Sequence, residues 1–313
     1  MKQLYINPVY KKELKTSVRS MKIALTLLAY NGLLALIGLI SFYALFESAR
    51  YNGMDHGLIL MIYAILVVME FGLILFVIPA YTSSAISGER ERQTLEILLT
   101  TSMKPSQIIR GKLFSSISTV LLLVFSSLPV LSLVFSIGGV SFGDLMKYVL
   151  LVLVTAVYAG SFGLLFSVIF KKTTISTVFT YGMLVVIGIG TVVLLLIVYV
   201  LMDQYYTTQS FHGGSYREPD LGYGVCLLLF NPGVSIGALL FGQFGSMGEF
   251  GRAITSIGTV PKFLTEHWFL ISLVVQTVTA VLLLSLAATL LNPLKRNDGK
   301  RARKDKKRKK KKE

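Results

Sequence analysis

Six long apolar runs separated by short polar clusters dominate the pattern along the chain. Each holds a stretch of charge-poor sequence long enough to cross a bilayer as a helix. The runs fall at about 23–46, 58–80, 113–137, 145–170, 175–202 and 268–291. Pro129 falls inside the third and predicts a kink there. Before the first run, Asn7-Pro8 is a helix start. Tyr10, Leu14, Val18 and Met21 then share one face, with Lys11, Lys12, Lys15, Arg19 and Lys22 on the other. That basic amphipathic helix, 1–22, suits the headgroup layer of an anionic leaflet.

The most charged segment ahead of the C-terminal tail lies between runs two and three. It reads as an amphipathic helix at about 87–102, with Glu89 and Glu91 in a first turn that favours carboxylates. Leu95, Leu98 and Leu99 form an apolar edge, while Glu89, Arg92 or Gln93, and Glu96 lie on another face. Thr100, Thr101 and Ser102 weaken its end, and Pro105 is placed to open the next helix. A short helix slung between spans in this way can dock a soluble partner.

The region 203–266 is harder. Its apolar block, 221–242, is 22 residues long but is broken by Asn231-Pro232. Each half is too short for a core of roughly 30 Å at about 1.5 Å per residue. Two short re-entrant helices meeting at Asn231 and Pro232 are therefore expected, rather than a seventh span.

Composition supports a membrane protein: 53% of the 313 residues are hydrophobic and 15% charged. The net charge of +15 is uneven, because 292–313 holds 13 Lys/Arg against 3 acids. Basic residues number 6 in the N-terminal stretch, 1 at 47–57, 5 at 81–112, 1 at 138–147, 2 at 171–174 and 3 at 203–266. That alternation predicts six spans with both termini in the cytoplasm and 203–266 outside. The lysine-rich tail, 292–313, is expected to be disordered and drawn to anionic lipid. No aromatic interleaving or nucleic-acid module accompanies it, so nucleic acid is not an expected partner. The first run is too long for the core of a signal peptide and is read as a retained span.

Catalytic and metal-binding motifs are missing. The chain has one cysteine, Cys226, and no HExxH, GxSxG or GxxxxGK[ST] pattern. His56, His212 and His267 are too scattered to predict a metal site. No catalytic residue or directly bound cofactor is expected, and any ATP energy must come from another polypeptide. Glu70 is the one acid in the middle of a span. It either lines a conduit or proton-linked switch, or makes an interhelical hydrogen bond, and the second reading is preferred. The glycines at 32, 38, 160, 163, 182, 188 and 190 point to close helix packing.

Two sequence segments carry a family resemblance. Asn7-Pro-Val-Tyr-Lys-Lys-Glu-Leu-Lys15 resembles an "NPxxxKEL" opening. Ala85-Ile-Ser-Gly-Glu-Arg-Glu-Arg-Gln-Thr-Leu-Glu-Ile-Leu-Leu-Thr-Thr101, followed by Ile109-Arg-Gly-Lys-Leu113, resembles an "ERExGTLExLLxTP…GK" pattern. Both resemble the membrane subunit of a type-2 ABC exporter, in the permease branch labelled after multi-copper enzyme maturation. Gln93 stands where that family often has Gly and Met103 where it often has Pro, with little expected effect on the helix.

The resemblance implies an all-α, six-span permease in a bacterial plasma (inner) membrane, homodimeric or heterodimeric, bound to a separate ABC ATPase. It assigns ATPase coupling to Glu89, Glu91, Arg92, Thr94, Leu95 and Glu96. It also matches the N-terminal helix to an interfacial connecting helix, and the Asn231-Pro232 pair to external re-entrant helices. Competing classes are a non-transporting membrane anchor or assembly factor for an envelope protein, and a stand-alone secondary transporter. The second should show internal repeats, and 1–150 and 151–313 share none that is convincing.

Overall fold

The computed structural model describes residues 9–11, 13, 20–52, 56–100, 103–137, 141–212 and 215–291. Most of the expected N-terminal helix and all of the basic tail lie outside the described residues. Residues 9–11 and 13 are helical. The described residues are almost wholly helical, and no strand occurs among them. In chain order the helices are α1 (Met21–Asn52), α2 (His56–Thr82), α3 (Ser87–Glu91), α4 (Leu95–Thr100), α5 (Pro105–Ile137) and α6 (Phe142–Ile169). α7 (Thr173–Val185) runs through a π turn, Val186–Gly190, into α8 (Thr191–Phe211). A 3-10 helix (Gly222–Phe230), α9 (Pro232–Gln243), α10 (Met247–Thr255), α11 (Lys262–Glu266) and α12 (Trp268–Leu291) complete the order.

Six helical stretches are long and apolar enough to cross a membrane, judged by length and composition. They correspond to the six expected runs, most of them extended by several residues. The fifth reaches Phe211 rather than ending near 202. Pro129 lies within α5. The block at 221–242 folds as a 3-10 helix and α9, bent by 96° at Asn231-Pro232. Asn231 accepts the Gly233 N–H (2.8 Å) and Pro232 takes the first helical position, the local reasons for a helix start there.

α6 is the central post, packed against α2, α5, α7, α9 and α12. Its run of small residues explains why. A Cβ on Gly163 would lie 2.8 Å from the Thr82 Cβ, so the end of α2 crosses α6 almost backbone to backbone. Gly160 is similarly tight against Leu113 and Thr82. At Gly32, Gly182 and Gly188 the outcome differs: a Cβ there would meet nothing within 4 Å, so those glycines do not pack closely inside the described chain.

Four apolar clusters organise the described residues, the smallest joining Tyr158 and Phe162 of α6 with Ile187 of the π turn and Ala280 of α12. The largest joins α1, α2, α5 and α6. A second gathers Ile86, Leu95, Ile108, Ile109 and Leu113 with the ends of α6 and α12. A third lies at the start of α12 and holds the 3-10 helix, α9 and α10 around Trp268. The charged segment and the bent pair therefore occupy opposite ends of α6 and α12.

Glu70 is fully buried and ties three helices. Tyr30 of α1 donates to its Oε1 (3.0 Å), and so does Ser127 of α5. Tyr148 of α6 faces the carboxyl without completing a hydrogen bond. These bonds link α1, α2 and α5 through one buried side chain.

Candidate coupling interface

The charged segment is not one helix. α3 ends at Glu91, and the chain turns through Gln93, whose φ of 59° is left-handed, before α4 begins at Leu95. Thr94 holds the turn, its N–H donating to the Glu89 carbonyl (2.9 Å) and its hydroxyl to the Glu89 carboxylate. The continuous helix expected at 87–102 is corrected to two short ones, and residues 101–102 lie outside the described residues. Gln93 is also corrected. It matters that the related pattern has Gly here, because a side chain disfavours this conformation.

The apolar edge expected from Leu95, Leu98 and Leu99 turns inward onto Ile108, Ile109 and Leu113. Leu95 is buried, so of the six expected coupling residues it is an anchor rather than a surface. Arg92, Gln93, Thr94 and Glu96 are exposed. So is Ile97, at 68%, an apolar side chain standing out between charged neighbours. Sequence periodicity did not single it out, because one isoleucine off the apolar edge carries no pattern.

Behind this surface the segment is fastened to the junction between α6 and α7. Ser167, on the last turn of α6, accepts the N–H groups of Ile86 and Ser87, both at 2.8 Å. Arg90 donates to the carbonyls of Phe170 (3.0 Å) and Val168 (3.1 Å), which end α6 without helical partners. The next residue does the opposite. Glu91 accepts from the Thr173 N–H (2.8 Å) and hydroxyl (2.9 Å), capping the first turn of α7. A cation therefore meets a helix C-terminus and an anion a helix N-terminus, both favourable with the helix dipoles.

Glu89 faces a third element. Lys112 on α5, its side chain 5% exposed, pairs with Glu13 (2.6 Å) and with Glu89 (3.4 Å). A cavity of about 480 Å³ adjoins this triad, lined also by Tyr81, Arg92 and Ser115. Lys112 and Ser167 are site residues that sequence reading missed. Gly111-Lys112 was visible as part of the motif, but nothing in sequence pairs it with Glu13, 99 positions away. The structure thus joins Glu89, Arg90 and Glu91 to the body of the protein and leaves Arg92, Gln93, Glu96 and Ile97 facing out.

The other expected site features lie elsewhere. Glu70 belongs to the helix bundle and Asn231-Pro232 to the opposite end. His212 and His267 each bond the backbone of their own helix, through Thr208 and Phe263. The His56 side chain is outside what is described.

Residues 7–292 match the family described as ABC-2 family transporter protein. A comparison with curated proteins finds no match.

Proposed function

We propose that this chain, which belongs to the ABC-2 family of transporter proteins, is the permease subunit through which a separate ABC ATPase drives export. The family makes it a multi-pass integral membrane protein and a transport component that is not itself catalytic. In the finer reading, α3 and α4 form the coupling element on the cytoplasmic side, and ATP is hydrolysed by the partner. Two copies, or this chain and a second permease, enclose the path, in a bacterial plasma membrane whose anionic lipids hold the basic tail. The motif at 85–101 also resembles the multi-copper-enzyme-maturation branch of such permeases.

One observation carries the coupling reading. The segment presents an exposed face of Arg92, Gln93, Glu96 and Ile97, while Ser167, Arg90 and Glu91 fasten its other face to the α6–α7 junction. A push on that face reaches two membrane-crossing helices through short hydrogen bonds and not through a loose loop. Domain movement of that kind is how an ATP-driven closure changes access across a bundle.

The test follows from the separation of faces. Reversing Glu89 or Glu91 would break internal bonds, and Arg92 lines the cavity beside Glu89, so the informative variant changes only Glu96→Arg and Ile97→Asp together. We expect the variant chain to fold and insert normally but to lose co-purification with the ATPase subunit. Undiminished association overturns the assignment.

A further inference from the structure

The fifth span contains a π turn, and the bent pair reaches across to hold it. In Val186–Gly190 the backbone bonds skip to the fifth residue: the Thr191 N–H goes to the Val186 carbonyl. A π turn amounts to one residue inserted in an α-helix, which disturbs the regular ladder and leaves backbone acceptors to be satisfied otherwise. In a bilayer no water can do so, and the partner must come from the protein.

Asn231 supplies it. Its Nδ2 donates to the Gly188 carbonyl (2.7 Å), in the middle of the turn, and to the Thr191 Oγ1 (2.9 Å). Thr191 in turn donates to the Ile187 carbonyl (2.6 Å). The Asn231 Oδ1 meanwhile caps α9 through Gly233. Asn231 is 1% exposed, and both of its N–H groups are engaged on the fifth span. Gln276 of α12, fully buried, holds the same elbow from the other side through Ser235 (2.8 Å).

Apart from Asn231, the turn is held by Ile187, which packs with Tyr158, Phe162 and Ala280. α7 is held by bonds nearer its start, from Thr173 to Glu91 and from Tyr181 to the Phe76 carbonyl. Over the 39 residues Thr173–Phe211, only Ser176, Thr180, Ile187 and Leu195 are buried. Nor does Gly188 hold the turn by tight packing, since a Cβ there meets nothing. Ile187 therefore gives the turn an apolar contact, and Asn231 adds the directional bonds at Gly188 and Thr191 that specify where the ladder is interrupted.

We infer that Asn231 is a positioning residue, which pins the π turn at Val186–Gly190 and thereby sets the rotation of α8 relative to α7. Were the turn to anneal or migrate past a residue, that residue's orientation would change by about 100°. The bond is a property of the chain alone. Its use in changing access during transport rests on the function proposed above.

The experiment reads rotation directly. Single cysteines at 192–199, in the full chain with Cys226→Ser, are spin-labelled in proteoliposomes and scanned for oxygen accessibility. In the unaltered elbow the minimum falls at 195, the buried position of α8. Asn231→Ser keeps a side chain able to cap α9 but too short to reach Gly188. It is expected to shift the minimum by one position or abolish it, while a matching scan of α6 stays unchanged. Thr191→Val, which leaves Asn231 intact and deletes one of its acceptors, is expected to broaden the minimum. A sharp minimum at 195 in both variants overturns the inference, and so does equal loss of pattern in α6.

A second arm adds the ATPase subunit with ATP and vanadate. If the Asn231→Ser shift is present but nucleotide leaves the wild-type scan unmoved, the latch stands and the coupling reading falls. If nucleotide moves the wild-type scan and Asn231→Ser does not, the reverse holds.

Discussion

Glu70 shows how one side chain at depth is disposed of. Its Oε1 accepts two hydroxyl donors, and an amide oxygen can accept the same two. Glu70→Gln is therefore expected to keep the thermal midpoint of the purified chain. Glu70→Leu strands the buried Tyr30 hydroxyl, while Ser127 keeps the Val124 carbonyl as an acceptor (2.8 Å). The change costs about 1–3 kcal/mol, read as a lowered midpoint in detergent. If Glu70→Gln kept stability but abolished transport, a proton-linked role would replace the structural one. That an acid sat alone in an apolar run was legible from sequence. Its partners were not, because Tyr30 and Ser127 lie 40 and 57 positions away, and either hydroxyl reads as an ordinary span residue.

At the level of elements, the break between α3 and α4 has an energetic signature. A left-handed non-glycine residue costs roughly 1–2 kcal/mol, and Gln93 is exposed with φ at 59°. Gln93→Gly is therefore expected to stabilise the segment by about 0.5–1 kcal/mol and to slow proteolysis between Arg92 and Thr94. Faster cleavage would show that the glutamine side chain contributes more than its backbone costs. The inward leucine edge was legible because it repeats at helical spacing. The break was hidden, because polar residues at 89, 92, 93 and 96 fit a continuous helix equally well. The turn depends on Thr94 bonding back to Glu89, a choice that local pattern does not encode. The spans and the Asn231-Pro232 bend were the easiest to read, since length and proline placement decide both. The π turn was not readable, for the side chain that bonds its middle carbonyl, Asn231, lies 43 positions from Gly188.

Across the whole molecule, the bent pair is closed at its base by Asp220. That carboxylate accepts from the Thr259 N–H and hydroxyl, both at 2.7 Å, and from the Gly222 N–H at 2.8 Å. These bonds, the Thr259 N–H foremost, hold the carboxyl below its usual range. A lowered folded pKa means stabilisation that is complete above the unfolded value of about 3.9. It fades as pH falls through the folded one. Wild type and Asp220→Asn should therefore differ in thermal midpoint at pH 6 and converge at lower pH. A gap that persists to pH 2 would place the contribution elsewhere. The staple joins residues 39 positions apart across an irregular region, so no periodicity announced it.

Arg90 and Glu91 are neighbours that face opposite electrical poles, one the carbonyl end of α6 and the other the amide end of α7. Their order in the chain is therefore information that composition and net charge do not hold. Transposing them, with Arg90→Glu and Glu91→Arg together, preserves every tally of atoms and charge yet sets each ion against a pole of its own sign. The transposed chain is expected to be less stable than one in which both are made neutral, the ranking to be read from thermal midpoints side by side.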